Sequence, residues 1–296
     1  MNMLQNQSEL EEISRRLDRE EGYRVLRAVP KRFSHMPEDG VPPDGRCIAI
    51  LDTETSGLNV HEDKLIELAI MLVWVDDDGE VSGHMGPVSW LQDPGIELEP
   101  EITLITGLAN HHLAHKQIDD AAALGFLDRA DLLVAQNAKF DLAWIEQRYP
   151  KLKGKAWACS CSEIDWLKLG YEGRSQQHLL WQHGWFTNAH RAEADVWSLF
   201  WLLQQRQRGP GDSPVQSHLQ RLLQAAETPT VLVEALRAPY SAKDKLKARG
   251  YRWDAGRRIW CKEMGEERLA VERSWFRTEG LPLFGAKTMT ATERHR

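Results

Sequence analysis

The stretch C-I-A-I-L-D-T-E-T-S-G-L, residues 47–58, decides the fold of this chain. Its apolar half is typical of a buried β-strand, and two carboxylates one residue apart, Asp52 and Glu54, follow it. Alternate residues of a strand point to the same face, so both acids project together. Like charges held this close repel each other, and carboxylate oxygens are ligands that Mg²⁺ and Mn²⁺ prefer. Taken alone, however, a D-x-E favours a strand that simply ends in solvent.

Two later segments supply further acids and a histidine. At 137–141 the chain reads N-A-K-F-D after an apolar run, which places Asp141 just past a strand and near the start of a helix. At 190–195 it reads H-R-A-E-A-D and continues into an apolar helix. Positions five apart differ by roughly 140° around a helix. We therefore expect His190 in the loop before that helix and Asp195 within it.

These segments, with I-T-G-L at 105–108 between the first two, resemble the motifs of the DEDD exonuclease superfamily, histidine subclass. The sequence is similar to the proofreading epsilon subunits of bacterial DNA polymerase III and their stand-alone relatives, over roughly residues 45–205. The resemblance implies an α/β fold, a ribonuclease-H-like mixed sheet with flanking helices. It also implies a 3′-5′ exonuclease in which two Mg²⁺ or Mn²⁺ ions are bound by four catalytic acids, Asp52, Glu54, Asp141 and Asp195.

In this family, His190 would be the general base. Two cations about 3.5–4 Å apart stabilise the attacking and leaving oxygens of an in-line phosphoryl displacement. Histidine suits the base because its usual pKa of about 6.5 leaves it largely neutral at physiological pH.

The resemblance adds four candidate substrate-binding residues, each with a plain structural alternative. Thr53 and Thr55 would contact the terminal nucleotide, or they reflect ordinary β propensity. Asn137 would bind substrate or tie the turn before Asp141. Leu104 resembles the apolar wedge that separates the last bases, although an apolar loop residue also serves packing.

Length and composition predict an intracellular enzyme. The chain has 296 residues and a net charge of −7, enough for one ordinary domain plus additions. We expect no membrane contact and a cytoplasmic location, because no apolar stretch approaches the roughly 18 residues of a spanning helix and the charged start is no signal peptide. The cysteines are too scattered for a disulfide framework and lack the spacing of a zinc site: Cys47, Cys159, Cys161 and Cys261.

Changes in composition divide the chain into five parts. Helical spacing of apolar residues predicts an amphipathic helix over 8–28. The predicted divisions are 1–44 (helix and linker), 45–208 (exonuclease domain), 209–229 (linker and short helix), 230–277 (small basic α+β module) and 278–296 (tail).

Basic charge is concentrated in the C-terminal module. Residues 231–277 hold twelve Lys and Arg against seven Asp and Glu, a net of +5 that leaves −12 for the rest of the chain. Cations beside aromatic faces would suit single-stranded nucleic acid. We assign Trp253 and Trp260 to the module's core, and we take Lys243, Lys247 and Arg257 as phosphate-binding candidates.

The expected partner is single-stranded DNA, with RNA as the alternative because nothing in the sequence reads a 2′-hydroxyl. A non-catalytic nucleic-acid-binding protein on a nuclease scaffold is the rival from another class. The segment G-L-P-L-F-G, 280–285, resembles peptides that dock on the bacterial sliding clamp, a weak indication of clamp or polymerase contact. It lacks their opening glutamine, and short motifs often match by chance, which favours a tail that packs locally or stays disordered.

Overall fold

The computed structural model describes residues 3–32, 34–37, 40–187 and 190–296. The strands are β1 Arg27–Ala28, β2 Arg46–Thr55, β3 Leu65–Val75, β4 Val81–Leu91, β5 Leu132–Ala135, β6 Trp157–Cys159, β7 Trp185–Phe186, β8 Arg206–Arg208, β9 Val215–Ser217, β10 Thr230–Leu236, β11 Arg252–Asp254, β12 Ile259–Met264 and β13 Leu283–Met289. The α-helices are α1 Met3–Leu17, α2 Pro100–Thr106, α3 Asn110–Leu113, α4 Asp120–Arg129, α5 Ala138–Arg148, α6 Ser160–Glu163, α7 Gln176–Gln182, α8 Ala192–Gln204, α9 His218–Glu227, α10 Lys243–Ala248 and α11 Leu269–Thr278.

A five-stranded mixed sheet in the order β4-β3-β2-β5-β6 forms the centre of the nuclease domain. β2, β5 and β6 are parallel, whereas β3 runs antiparallel to both β2 and β4. All eleven residues of β3 are buried, which explains its nearly continuous apolar sequence. The predicted mixed sheet with flanking helices is confirmed.

Helices cover both faces of this sheet. On one face, α8 and α9 pack through residues such as Phe200 and Leu222, both almost fully buried. On the other, α4 and α5 pack through residues such as Leu127 and Ile145. The segment 209–229, expected as a linker with a short helix, therefore supplies in α9 a part of the nuclease core.

The N-terminal segment departs from the expected helix over 8–28. α1 ends at Leu17, and the chain then turns so that β1 pairs in parallel with β7. The guanidinium of Arg27 contacts the carboxylates of Glu11 and Asp18, which holds this reversal in place. Helical spacing alone did not reveal the break, because Val25 and Leu26, the next apolar residues at that spacing, lie between α1 and β1 and belong to neither.

The C-terminal module is a four-stranded antiparallel sheet, β11-β12-β10-β13, with α10 and α11 against its core. β13 pairs along the whole of β10, so the module extends beyond the expected end at residue 277. The assignment of Trp253 to the core needs correction, since this ring is 50% exposed and lies beside the partly buried Trp260.

The last residues return to the nuclease domain. The backbone N–H of Trp157 on β6 donates to the carbonyl of Ala291 at 2.9 Å. The buried Arg294 pairs with Glu163 of the nuclease domain and, at 2.9 Å, with Glu263 of the module. The module and the nuclease domain are thus joined at both ends of the module. Among the helices that the structure describes, none is long and apolar enough to cross a membrane.

Candidate active site

Three carboxylates converge at the carboxyl end of β2. Oxygens of Asp52, Glu54 and Asp195 lie within 4.8 Å of one another. Asp52 and Glu54 project together from β2, and Asp195 comes from the first turn of α8. The register of β2 against β3 shifts between Glu54 and Thr55, and such bulges often re-aim side chains near active sites.

Asp141 lies next to this group and is held from β2. It is 3% exposed, and its Oδ1 accepts a hydrogen bond from the hydroxyl of Thr53 at 2.8 Å. Its charge is the strongest influence of any neighbouring carboxylate on the pKa of Asp52. The four acids named from the sequence therefore occupy one site, with three converging and the fourth beside Asp52.

All four acids have raised pKa values. Burial is the largest cause in each case, and it raises the pKa of Glu54 to about 8, that of Asp141 to about 7 and that of Asp195 to about 6. Burial also raises the pKa of Asp52 well above its usual range, with further contributions from the neighbouring acids. A site that resists ionisation in this way gains most from a nearby positive charge.

The donor set fits divalent metal ions. Carboxylate oxygens are the ligands of Mg²⁺ and Mn²⁺, and two or more acids with raised pKa values lose their mutual repulsion when a cation binds between them. Asp52, Glu54 and Asp195 would share one ion. Asp141 would be the additional ligand beside Asp52.

His190 lies at the rim of this site. It is exposed, its φ is +66°, and its backbone N–H donates to Oδ2 of Asp195 at 2.8 Å. A positive φ is uncommon for a residue other than glycine and has to be maintained by its surroundings. Here the hydrogen bond to Asp195 ties the His190 backbone to one of the converging acids.

A second contact fixes the residue after it. The guanidinium of Arg191 forms two hydrogen bonds with the carboxylate of Glu67 on β3, at 3.1 and 3.2 Å. Glu67 is fully buried, and it also accepts from the backbone N–H of Ala192 at 3.3 Å and from the hydroxyl of Ser89 at 2.8 Å. The start of α8 is therefore attached to the central sheet.

Glu67 and Arg191 were not identified from the sequence as residues that support the site, although the sequence around Glu67 contains one indication. Glu67 is an acid within an otherwise apolar strand, L-I-E-L-A-I-M-L-V-W-V, and lies directly opposite Glu54. A charged residue in a fully buried strand is rare unless it is paired. That rarity could have marked Glu67 as a site residue, but its partner 124 positions away was not visible.

The other predicted substrate-binding residues of the nuclease domain have different surroundings. Thr53 and Thr55 are buried, and their hydroxyls donate to Asp141 and to the carbonyl of Gly57. Asn137 is exposed and makes no side-chain cap to α5, which leaves its amide available. Leu104 on α2 is 84% exposed.

The predicted residues of the module lie apart from this group. Lys243 is placed over the ring of Tyr240 at 5.5 Å, and Arg257 pairs with Glu234 on β10. Lys247 is exposed on α10. The structure thus brings together the acids, His190 and the threonines, but it does not bring these three basic residues to them.

The mixed sheet and the acid cluster at the carboxyl end of β2 have the layout that the motifs predicted for a nuclease. The chain belongs to the exonuclease family, which matches residues 49–199.

Two curated relatives share part of this region. A PolC-type DNA polymerase III of Thermotoga petrophila is 28% identical over 117 residues, 38% of this chain and 8% of the polymerase. Ribonuclease T of Shewanella denitrificans is 27% identical over 118 residues, 33% of this chain and 49% of the ribonuclease. The chain therefore spans less than half the length of either relative.

Solved structures of exonucleases are also similar. Exonuclease X in complex with 5′ overhanging duplex DNA is 24% identical, covering 51% of this chain and 86% of that one, with a TM-score of 0.39. E. coli exonuclease I in complex with a dA16 oligonucleotide is 17% identical, covering 63% of this chain and 48% of that one, with a TM-score of 0.43.

Proposed function

We propose that this protein is a metal-dependent 3′-5′ exonuclease that releases nucleoside monophosphates from the 3′ ends of single-stranded DNA. The observation that carries the proposal is the convergence of Asp52, Glu54 and Asp195 within 4.8 Å in a chain of the exonuclease family. Holding three partly buried carboxylates together is costly unless they bind a cation. A protein with no catalytic role would be free to lose such a cluster.

Each group has a distinct part in this reaction. Bound Mg²⁺ or Mn²⁺ ions would polarise the attacking water and stabilise the departing 3′ oxygen. The carboxylates of Asp52, Glu54, Asp141 and Asp195 would hold these ions. The imidazole of His190 accepts a proton from the attacking water, and its backbone hydrogen bond to Asp195 keeps the ring near the site.

RNA is the second candidate substrate. It is favoured by the relative named ribonuclease T, which shares 27% identity over 118 residues. Both substrates would use the same acids and the same general base, because the scissile phosphodiester is common to DNA and RNA. The 2′-hydroxyl is the group that would distinguish them.

One set of assays tests the proposal. Single-stranded DNA, single-stranded RNA and blunt duplex, each labelled at either end, are incubated with Mg²⁺ or Mn²⁺ and then with EDTA. We expect stepwise shortening from the 3′ end, release of monophosphates, faster cleavage of single-stranded DNA, and no cleavage in EDTA. Faster cleavage of RNA than of DNA would identify RNA as the preferred substrate. No cleavage of any strand with either metal would contradict the proposal and favour the alternative, a non-catalytic nucleic-acid-binding protein.

A further inference from the structure

A cleft of about 1220 Å³ separates the nuclease domain from the C-terminal module. One wall is formed by the start of α5, the segment after β6, and α9. The other wall is formed by β11, β12 and the start of β10. We infer that this cleft binds the sugar-phosphate backbone of the single strand on the 5′ side of the nucleotide being removed. The inference rests on the proposed function for the direction of the strand.

The position of the cleft relative to the acids supports this role. β2, β5 and β6 are parallel and adjacent, so their carboxyl ends share one edge of the sheet. The acid cluster is at the end of β2, and the cleft begins after β5 and β6, at Asn137 and Cys159. Neighbouring strands are about 4.8 Å apart, so roughly 10 Å separate the two along this edge. A strand whose 3′ end is at the acids can enter the cleft within a few nucleotides.

The charge of the lining favours a polyanion. Seven lysines and arginines line the cleft but only three acids, in a protein whose net charge is −7. The three acids are already paired: Glu163 and Glu263 with Arg294, and Asp165 with Lys168. The remaining five cations are Lys139, Arg174, Arg221, Arg252 and Lys262.

Three of these cations are arranged to face a ligand. Lys139, Arg174 and Arg252 are exposed, and within the described ranges none has a carboxylate at salt-bridge distance. Lys139 and Arg252 come from opposite walls. Lys139 is also among the charges that act across the cleft on Cys261, a thiol whose pKa is raised mainly by burial. Opposed cations of this kind suit phosphates on both sides of one strand.

The lining also indicates how the strand is recognised. Among the described residues that form the cleft there is no Phe, Tyr or Trp. Bases would therefore not be stacked on aromatic rings, as they are in many single-strand-binding proteins. We expect contacts with phosphates, and hence little preference for base sequence and a strong dependence on salt. Within the C-terminal module, the surface that contacts the strand therefore lies on β11 and β12, away from Lys243 and Lys247 of α10.

The main test uses the full-length triple variant Lys139→Ala/Arg174→Ala/Arg252→Ala. Binding of a labelled 20-mer of deoxyadenosine is measured against salt concentration in EDTA, where no cleavage occurs. Each lost phosphate contact lowers the log–log slope by roughly 0.7, so the slope should fall by about 2 and the affinity at low salt by roughly 10²-fold. Cleavage of a dinucleotide, too short to cross the roughly 10 Å from the acids to the cleft, should stay within about twofold of the wild-type rate.

A matched control removes cations elsewhere. Arg16 and Arg19 are exposed at the end of α1 and do not line the cleft. The variant Arg16→Ala/Arg19→Ala should keep the wild-type slope. An equal slope for the wild-type protein and the triple variant, or an equal loss in the control, would overturn the inference. Because binding is measured in EDTA, a protein without nuclease activity would still give a clear answer on the cleft.

Chemical protection gives a second readout that needs no variant. Cys161 and Cys261 line the cleft and are partly exposed, whereas Cys47 and Cys159 are buried. Alkylation at mildly alkaline pH, quantified by mass spectrometry, should therefore modify Cys161 and Cys261. The 20-mer should slow both reactions at least about fivefold at saturation, and the dinucleotide should not. Unchanged rates with saturating 20-mer would show that the strand binds elsewhere.

Discussion

The guanidinium of Arg191, the residue directly after His190, forms two hydrogen bonds with the fully buried carboxylate of Glu67 on β3. This ion pair joins the start of α8, which carries Asp195, to the strand that pairs with β2, which carries Asp52 and Glu54. The ion pair of Arg191 and Glu67 thus positions the acids of β2 relative to Asp195 of α8, although neither of its members is one of the three converging carboxylates. Catalytic geometry is sensitive to such support, since a displacement of about 1 Å can cost roughly 10²-fold in rate.

Arg191→Met should destabilise the protein and slow its reaction. Glu67 is 0% exposed and would keep a buried charge without its cation, whereas Arg191 is 46% exposed. We expect a loss of roughly 1–3 kcal/mol in the free energy of unfolding, below the value for a fully buried pair because water reaches Arg191. The rate at saturating substrate should fall about tenfold or more, with KM nearly unchanged. Urea unfolding and steady-state kinetics measure the two effects.

The exposed pair of Arg32 and Glu193 provides the control. Its side chains are 44% and 36% exposed, so Arg32→Met should cost less than about 1 kcal/mol and leave the rate unchanged. The double variant Glu67→Gln/Arg191→Met should recover part of the lost stability, because the buried charge is gone. Equal costs for Arg32→Met and Arg191→Met would show that the Glu67 pair has no special role.

Asp52→Asn should abolish activity while stabilising the metal-free fold. The substitution removes a shared ligand, and groups that act as one catalytic unit typically lose 10³-fold or more in rate. It also removes a charge that Asp141, Asp195 and Glu54 oppose. In EDTA at mildly alkaline pH, the urea midpoint should therefore rise. Asp128→Asn is the control, because this acid is 59% exposed on the surface, and a cleavage rate for Asp52→Asn equal to that control would contradict the site.

His190→Ala should lower the rate at saturating substrate by roughly 10²–10⁴-fold, the usual share of a general base. It should also flatten the acidic limb of the pH–rate profile, since the protonated imidazole cannot accept the proton of water. His115 is a close structural match: it has φ +61° and its backbone N–H donates to Asp93 at 2.8 Å. His115→Ala should leave both rate and profile unchanged. A full acidic limb in His190→Ala would assign the base to another group.

The metal-free protein should lose stability as the pH rises from about 7 to 9. Glu54 and Asp141 have folded-state pKa values of about 8 and about 7, above those of the unfolded chain. The folded state therefore holds protons that the unfolded state has released, and the stability they provide disappears as pH passes through these values. The loss should be on the order of 1 kcal/mol per pH unit for each group still protonated.

This pH window avoids an opposing effect. His84, His183 and His218 have pKa values lowered mainly by burial, to about 4, 4 and 3, and they stabilise the fold as the pH rises towards about 6.5. Above pH 7 they are neutral in both states. Urea unfolding in EDTA should show a shallower decline of stability with pH for Glu54→Gln than for the wild-type protein. In a separate series without EDTA, saturating Mn²⁺ should remove the decline. A metal-free stability that rises over this range would contradict the raised pKa values.

The sequence predicted the parts of the site that depend on local pattern. An apolar run that ends in D-T-E marks a strand end, and the five-residue spacing of His190 and Asp195 puts the histidine in the loop before the helix that carries Asp195. The partnership of Glu67 with Arg191 could not be predicted in this way, because it joins residues 124 positions apart through the sheet. For the same reason, the sequence predicts the short helix within 209–229 but not its packing on the nuclease sheet.

The C-terminal module shows the same limit. The turn residues D-A-G, 254–256, predict a hairpin, and helical spacing predicts a last helix over 266–276. Both are present, as β11–β12 and α11. The sequence predicts a tail or a clamp-binding peptide where the structure has β13, because the residues L-P-L-F do not by themselves indicate pairing with a distant strand. In the structure, Leu281 and Phe284 pack against the module's core. The cleft depends on the docking of Arg294, which no local pattern indicates.

Arg294→Met should detach the C-terminal residues from the nuclease domain. The Arg294 side chain is 5% exposed and donates to Glu163, to Glu263 and to the carbonyls of Ala225 and Thr228. Glu163 is 6% exposed, so the variant leaves a nearly buried charge without this cation. We expect a loss of roughly 3–5 kcal/mol in the free energy of unfolding, measured by urea unfolding. Long-strand affinity should fall with it, because Arg294 holds one wall of the cleft against the other.

The control is Lys287→Met, which breaks the pair with Glu293 at 3.0 Å. These side chains are 59% and 40% exposed, so the cost should stay below about 1 kcal/mol. Cleavage of a dinucleotide distinguishes the two roles of Arg294, since the acids at the end of β2 do not depend on the module's position. If Arg294→Met keeps wild-type stability and wild-type affinity for the 20-mer, Arg294 does not hold the module against the nuclease domain.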